Sequence, residues 1–464
     1  MSIKNTLLKI YKPLLFITFF MFLLNGCKKD EEIEEGPDKE SSIIDPNSMA
    51  IANVDTKNLT IVDEPKIPAN LQITEVDSIL FDGPIGIEIR GSSSQMFPKK
   101  SYGFETWDED GKDINVSLAD FPEEEDWIFY APYSDKSLIR NVIIFELSNE
   151  IGQYATKTKF LELYLNNKYM GLYVLMEKIK RDKNRVNISK NKDDDLTGGY
   201  ILKIDKSTGD GSSSADYNTQ NSFSSKYNSL GTTNLNNGAI THFLYEYPDS
   251  DDINENQKNY IINYMSQFED ALISSEFNDP EKGYAKFIDI DSFIDFFLLN
   301  EISKNIDGYR LSTFMHKNKG EKLKMGPIWD FNLGFGNANY CNGDSYEGWA
   351  YQFNNQCPGD LWQVPFWWKR FMEDPNWRNL LKNRWTSLRN DKFSNDHILN
   401  KISNHVKFIN ENNSSSDNFT TWDILGKYIW PNAYNGSSYS DEIVYLNSWI
   451  KNRLNWMDLE INGF

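Results

Sequence analysis

Arg90-Gly91-Ser92-Ser93-Ser94-Gln95-Met96-Phe97-Pro98-Lys99-Lys100-Ser101-Tyr102 joins two alternating segments. Upstream, Ile85-Gly86-Ile87-Glu88-Ile89-Arg90 alternates as a half-buried strand does. Downstream, Lys100-Ser101-Tyr102-Gly103-Phe104-Glu105 repeats the pattern. Residues 50–107 therefore read as β-rich. Further out, Leu138, Val142, Phe145 and Leu147 predict a helix over 136–151. Asn166-Asn167-Lys168 between two apolar runs predicts a hairpin over 158–179, and GYILKI predicts a strand at 199–204. Residues 206–238, rich in Ser, Gly and Asn, read as a mobile polar insertion outside the chemistry. Beyond them Ile261, Tyr264, Met265, Phe268 and Leu272 share one helical face. Residues 291–305 predict a very apolar, central helix. Two short strands follow near 311–317 and 322–328, then helices, the last over about 440–458. A β-rich first part and a helix-rich second part make an α+β layout, with a cleft expected between two lobes.

The chain has 48 Lys and Arg against 68 Asp and Glu, a net charge of −20. That balance argues against sequence-independent binding to nucleic acid, which needs a basic face, so no nucleic-acid partner is expected. With 14% aromatic residues the chain can bury a large core. Four His and three Cys argue against a zinc ribbon.

The first residues form an address. Lys4, Lys9 and Lys12 precede the apolar run PLLFITFFMFLL at 13–24, too short for a comfortable membrane span. Leu24-Asn25-Gly26-Cys27 resembles a bacterial lipobox, so residues 1–26 read as a lipoprotein signal peptide and Cys27 as the lipidated residue. Lys28-Lys29-Asp30-Glu31-Glu32 resembles the export signal of surface lipoproteins of Bacteroidota. Residues 27–48 read as an acidic disordered tether and 49–462 as the folded domain. The expected location is the outer membrane, surface-exposed, with membrane contact through the lipid on Cys27. In an oxidising envelope Cys341 and Cys357 are expected to form a disulfide.

Two acids stand out. Asp307 follows the central helix in Asn305-Ile306-Asp307-Gly308-Tyr309-Arg310-Leu311-Ser312. Asp330 lies in Met325-Gly326-Pro327-Ile328-Trp329-Asp330-Phe331-Asn332-Leu333-Gly334-Phe335-Gly336. Phosphoryl transfer needs one carboxylate to accept the proton of the attacking hydroxyl and another to hold Mg²⁺ on the phosphates. As bare patterns these acids fit ordinary caps or turns equally well.

The wider pattern narrows the reading. Residues 90–102 resemble the RG-x-SS…F-P-K-K-S-Y signature of the CotH (spore coat protein H) kinase family. Ser137-Leu138-Ile139-Arg140-Asn141 resembles its L-x-R-N segment, and Leu165 to Glu177 resembles its L-N-G-x-Y-x-G-x-Y-x-x-x-E hairpin. Asn305-Ile306-Asp307 and Trp329-Asp330-Phe331 resemble its N-x-D and W-D-F-D blocks. The resemblance implies a secreted, atypical protein-kinase-like fold of two lobes. It implies ATP with Mg²⁺ or Mn²⁺, and transfer of the γ-phosphoryl group to Ser or Thr hydroxyls of surface proteins. On this resemblance Asp307 is the catalytic base and Asp330 the metal-binding acid. Lys100 shares a strand face with Tyr102 and Phe104, so it is expected to contact phosphates, with Lys99 as the alternative and Glu177 as the lysine's partner. Gly91, Ser92, Ser93 and Ser94 fit a backbone-amide phosphate cradle or a plain turn. Arg90 and Arg140 fit phosphate contacts or structural ion pairs.

Two positions depart from the pattern. Ser312 stands where a kinase has a metal-binding Asn, and Asn332 replaces the second acid of W-D-F-D. Both still offer neutral oxygen ligands to Mg²⁺. A catalytically silent surface binding or adhesion protein on the same fold therefore stays open, as does glycan binding by exposed members of Trp349, Trp362, Trp367, Trp368, Trp377 and Trp385.

Overall fold

The computed structural model describes residues 48–464, apart from 193–194, 208–215 and 235. The signal peptide, Cys27 and nearly all of the tether lie outside the described residues. Strands β1 (Ala50–Asp55), β2 (Ile67–Glu75), β3 (Ser78–Arg90), β4 (Ser101–Thr106) and β5 (Asp126–Tyr130) come first, then helix α1 (Arg140–Glu150). The hairpin β6 (Thr158–Leu165) and β7 (Lys168–Glu177) follows. Its turn residues Asn166 and Asn167 have φ of 50° and 65°, the paired left-handed conformation of a tight hairpin. These seven strands close into a barrel in the order β1-β2-β3-β4-β5-β7-β6, sealed by parallel pairing of β1 with β6. Its interior is filled by apolar side chains that include Leu71, Ile87, Tyr102, Phe104, Trp127, Phe129 and Tyr173.

A second sheet takes β8 (Tyr200–Ile204), β9 (Ser222–Asn228), β10 (Ile240–Tyr247), β11 (Thr313–Lys317) and β12 (Leu323–Met325), in the order β12-β11-β8-β10-β9. The polar insertion expected over 206–238 contains a strand, β9. Ser-Phe-Ser-Ser-Lys-Tyr-Asn has too few apolar residues to signal a strand. Pairing with β10 and packing against the following helix hold it in place.

The helices are α2 (Glu255–Ile273), α3 (Ile290–Ser303), α4 (Phe353–Gln356), α5 (Trp367–Glu373), α6 (Pro375–Arg389), α7 (Asn395–Glu411), α8 (Ser414–Thr421) and α9 (Tyr439–Asn462). Asn254 and Gln257 cap α2 reciprocally, and Ser438 and Asp441 do the same for α9. From Ser292 to Ser303 every residue of α3 is buried, as expected of a central helix. Trp349, Trp367, Trp368, Trp377 and Trp385 are buried in the same core, so they offer no glycan surface. Trp362 is half-buried and donates to Tyr217 Oη at 2.9 Å. Ile44–Phe464 forms one compact unit. Among the described residues no helix is long and apolar enough to cross a membrane.

Candidate active site

The barrel interior is occupied by rings, so chemistry falls to the barrel's outer face. Ile128, Tyr130 and Met176 of β5 and β7, with Ser101 of β4, floor a cleft. Its walls are Arg90 to Ser94, Asp307, Trp329, Asp330, Asn332 and Trp430. Its enclosed volume is about 150 Å³.

Three local devices aim the acids. The first is a buried ion pair of Glu301 with Arg453 at 3.0 Å, which ties the end of α3 to α9. Glu301 also accepts from Tyr309 Oη and from the amides of Ala350 and Tyr351. The second is Lys304, which ends α3 at φ 43° and donates to the carbonyls of Asn342, Ser345 and Glu347. Burial lowers its pKa to about 8. The third is a pair of asparagines. Asn305 Nδ2 donates to the Asp330 carbonyl at 3.3 Å, and Asn141 Oδ1 accepts from the Phe331 amide at 2.7 Å. Asp330 itself sits at φ 60°, where few side-chain-bearing residues are comfortable.

Asp307 is held by one oxygen only. Arg310 Nη2 donates to Oδ1 at 2.6 Å, and Tyr340 Oη donates to the same oxygen at 3.4 Å. Among the described residues no donor reaches Oδ2, which is left for a cleft ligand. Burial, then the neighbouring charges of Asp307 and Asp205, push the Asp330 carboxyl up to about 7. Arg90 and Lys206 oppose that rise. Asp205 follows β8; burial raises its pKa too, and it accepts from the amides of Lys206 and Ser312.

Arg90 stands with its guanidinium 5.7 Å from the Trp329 ring centre, and burial lowers its pKa. Among the described residues it has no carboxylate within 4.0 Å. The following Gly91, at φ 115°, lets the chain fold back so closely that a Cβ there would collide with Ser94 Oγ. Ser92 Oγ is buried with no hydrogen-bond partner. Ser92, Ser93, Arg90, Asp307, Asp330 and Asn332 thus share the cleft.

Other expected residues do not join them. Lys99 points away and donates to Leu172 O at 2.6 Å and Asn418 Oδ1 at 2.8 Å, stapling β7 to α8. Gly171, whose Cβ would meet Asn418 Oδ1 at 2.6 Å, makes room for that staple. Lys100 donates to the Gln95 carbonyl and steadies the Gly-Ser loop. The expected Lys100–Glu177 pair is not made. In register, Phe104, Trp127 and Glu177 lie side by side. Lys100 is four residues away along the strand, on the order of 13 Å. The ring face of β4 looks into the barrel, and the cleft lies on the opposite face through Ser101. Glu177 instead accepts from Tyr154 Oη and the Lys157 amide. Ser312, which precedes β11 opposite the end of β8, is not among the residues lining the cleft and gives its amide to Asp205. Arg140 is a structural ion pair with Asp135 at 2.5 Å, both buried. Cys341 and Cys357 form the expected disulfide, with Cα atoms 5.7 Å apart.

Sequence reasoning missed Asn141, Asp205, Tyr340 and Trp430. Asn141 was in view beside Arg140, and Asp205 had the signal of an acid closing a strand. Nothing local marked Tyr340 or Trp430.

The model of the CotH kinase protein family matches residues 87–457, from within β3 into α9. The chain belongs to the CotH kinase family. No curated protein matches the chain closely. Membership implies kinase-like chemistry with ATP and a divalent metal. The cleft offers such a metal oxygen donors: the carboxylate of Asp330, the free Oδ2 of Asp307 and the carboxamide of Asn332 all line it, and the charge of Asp205 is felt at Asp330. A second acidic cluster, Glu124, Glu125 and Asp126, has its ligand atoms within 4.8 Å of one another. Lys178, Lys180 and Arg185 already neutralise it, and it does not line the cleft.

Proposed function

We propose that this CotH kinase is a lipid-anchored envelope protein that transfers the γ-phosphoryl group of ATP to Ser or Thr hydroxyls of surface proteins. A two-lobed, kinase-like division of labour belongs to this reading, with the barrel side binding phosphates and the helical side holding the base. The anchor is Cys27 at the lipobox-like Leu24-Asn25-Gly26-Cys27, and the location is the outer membrane, exposed at the surface. The observation that carries the activity is the convergence of Arg90, the Gly91–Ser94 loop, Asp307 and Asp330 on one cleft.

Asp307 Oδ2 takes the proton as the acceptor oxygen attacks the γ-phosphorus, while the bond from that phosphorus to the β-phosphate oxygen breaks and ADP leaves. Arg310 and Tyr340 keep the carboxylate turned towards the acceptor through Oδ1. Arg90 balances charge on the phosphates, and the Gly-Ser loop supplies amides and the unpartnered Ser92 hydroxyl. Asp330, with Asn332, would hold Mg²⁺ or Mn²⁺, which when bound neutralises phosphate charge. A catalytically silent binding protein is the second reading. The neutral Asn332 in place of a second acid favours it.

Thermal shift separates the two. ATP with Mg²⁺ is expected to raise the melting temperature, with the rise reduced in Asp330→Asn and in Arg90→Gln. A melting temperature indifferent to ATP under both Mg²⁺ and Mn²⁺ would leave only the silent reading.

A further inference from the structure

Trp430 is an exposed tryptophan, 42% accessible, on the wall of the cleft that holds Asp307. Its ring lies parallel to that of Tyr340, 6° between planes and centroids 6.3 Å apart. Tyr340 in turn donates its hydroxyl to Asp307 Oδ1. A continuous path of aromatic surface therefore leads from solvent to the carboxylate. The path is rigid. The Asn339 amide donates to the Pro431 carbonyl at 2.8 Å, and Ala338 bridges to Asn432. Asn432 Nδ2 donates to Ser134 O and Asn337 Oδ1. The residue after Tyr340 is Cys341, fixed by its disulfide. Large exposed rings held on a rigid frame are costly to leave bare and are characteristic of binding surfaces.

The two ends of the cleft differ in chemistry. Arg90, Gly91 and the serines form a cationic, amide-rich wall suited to phosphate. The Tyr340–Trp430 wall is aromatic and touches the proton-accepting group, and the nearby Arg310 is already paired with Asp307 and Asp360. We propose that this wall is the acceptor subsite. It would take an extended protein segment whose Ser or Thr is flanked by aliphatic or aromatic side chains, with the flanking group lying on Trp430 and the hydroxyl reaching Asp307 Oδ2. The inference rests on the kinase reading for the hydroxyl's fate, but the binding it describes needs no catalysis.

The test uses two fluorescein-labelled peptides that differ only at the flanks of one serine, Leu-Ser-Leu against Gly-Ser-Gly. Binding is read by fluorescence anisotropy without nucleotide. The parent protein is expected to prefer the leucine peptide by roughly tenfold. Trp430→Ala is expected to abolish that preference while keeping the ATP-dependent thermal shift. Trp430→Gln, checked by circular dichroism, guards against a folding defect. Tyr340→Phe, which keeps the ring and removes the hydroxyl, is expected to bind the peptide as the parent does. No preference in the parent overturns the subsite. Loss of the ATP shift in Trp430→Ala also overturns it, because Trp430 would then serve the nucleotide. Peptide preference without any ATP effect in the parent would keep the subsite and remove the kinase reading.

Discussion

Arg90 and Lys99 are separated by nine positions and are both cations, the first half-buried and the second buried, yet they serve opposite ends. Burial pushes both pKa values down. Lys99 is satisfied: it has a backbone carbonyl, a carboxamide oxygen and the Tyr173 ring 4.9 Å away. Arg90 has only the Trp329 ring and the field of more distant acids. A buried cation with a full set of acceptors holds the fold together. One whose fork is left open in a cleft is held ready for an anion. The same contrast separates Glu177, bonded to Tyr154 and Lys157, from Asp330, whose buried carboxyl feels the charges of Asp307 and Asp205. Resemblance to a family motif marks both kinds of residue, and only their partners tell them apart.

That contrast can be broken in four places. Asp307→Asn keeps the shape and removes the base. Phosphoryl transfer to an acceptor is expected to fall by about 10²- to 10⁴-fold, with ATP binding kept, as read by initial rates beside thermal shift. Lys99→Ala leaves Leu172 O short of a donor and opens a void between β7 and α8. Its cost is about 3 kcal/mol in denaturant unfolding, while ATP still raises the variant's lower melting temperature. Arg90→Gln should do the reverse: unfolding is unchanged or slightly harder, and ATP affinity drops about tenfold to a hundredfold by calorimetry. If Lys99→Ala removed nucleotide binding, or Arg90→Gln unfolded the protein, the two cations would have been assigned the wrong way round.

The smallest effect concerns pH. The Asp330 carboxyl titrates near 7 in the fold against 3.8 when free, so between those values the folded state binds the extra proton. Its contribution to stability is therefore greatest below the free value and falls as pH rises towards about 7. Asp330→Asn should flatten that part of the stability profile. Mg²⁺ needs the ionised carboxyl, so its stabilising effect on the parent should be larger at pH 8 than at pH 6. Equal effects at both pH values would mean that the cation binds elsewhere.

Much of this frame was legible from residue patterns. The hairpin at 158–179 was announced by Asn166-Asn167, and α2 and α3 by periodicity and burial. Closure of the barrel was not, because the parallel pairing of β1 with β6 joins segments more than a hundred residues apart and leaves no local mark. The ring face of β4 was read correctly but attached to the wrong space. Tyr102 and Phe104 do point inward, into the barrel, so Lys100 was carried away from the cleft by the same reasoning. Asp307 and Asp330 were found because each follows an element, α3 or β12, within a recognisable block. Asp205, Tyr340 and Trp430 reach the site from distant strands and loops, and only the folded chain brings them to it.

The most direct test of the central claim is label transfer from γ-labelled ATP in Mg²⁺, comparing the parent protein with Asp330→Asn at matched folded concentration. The account predicts label on a protein hydroxyl with the parent and none above background with the variant. Equal labelling of both would contradict it, and so would an unlabelled parent under both Mg²⁺ and Mn²⁺ with a full set of candidate acceptors.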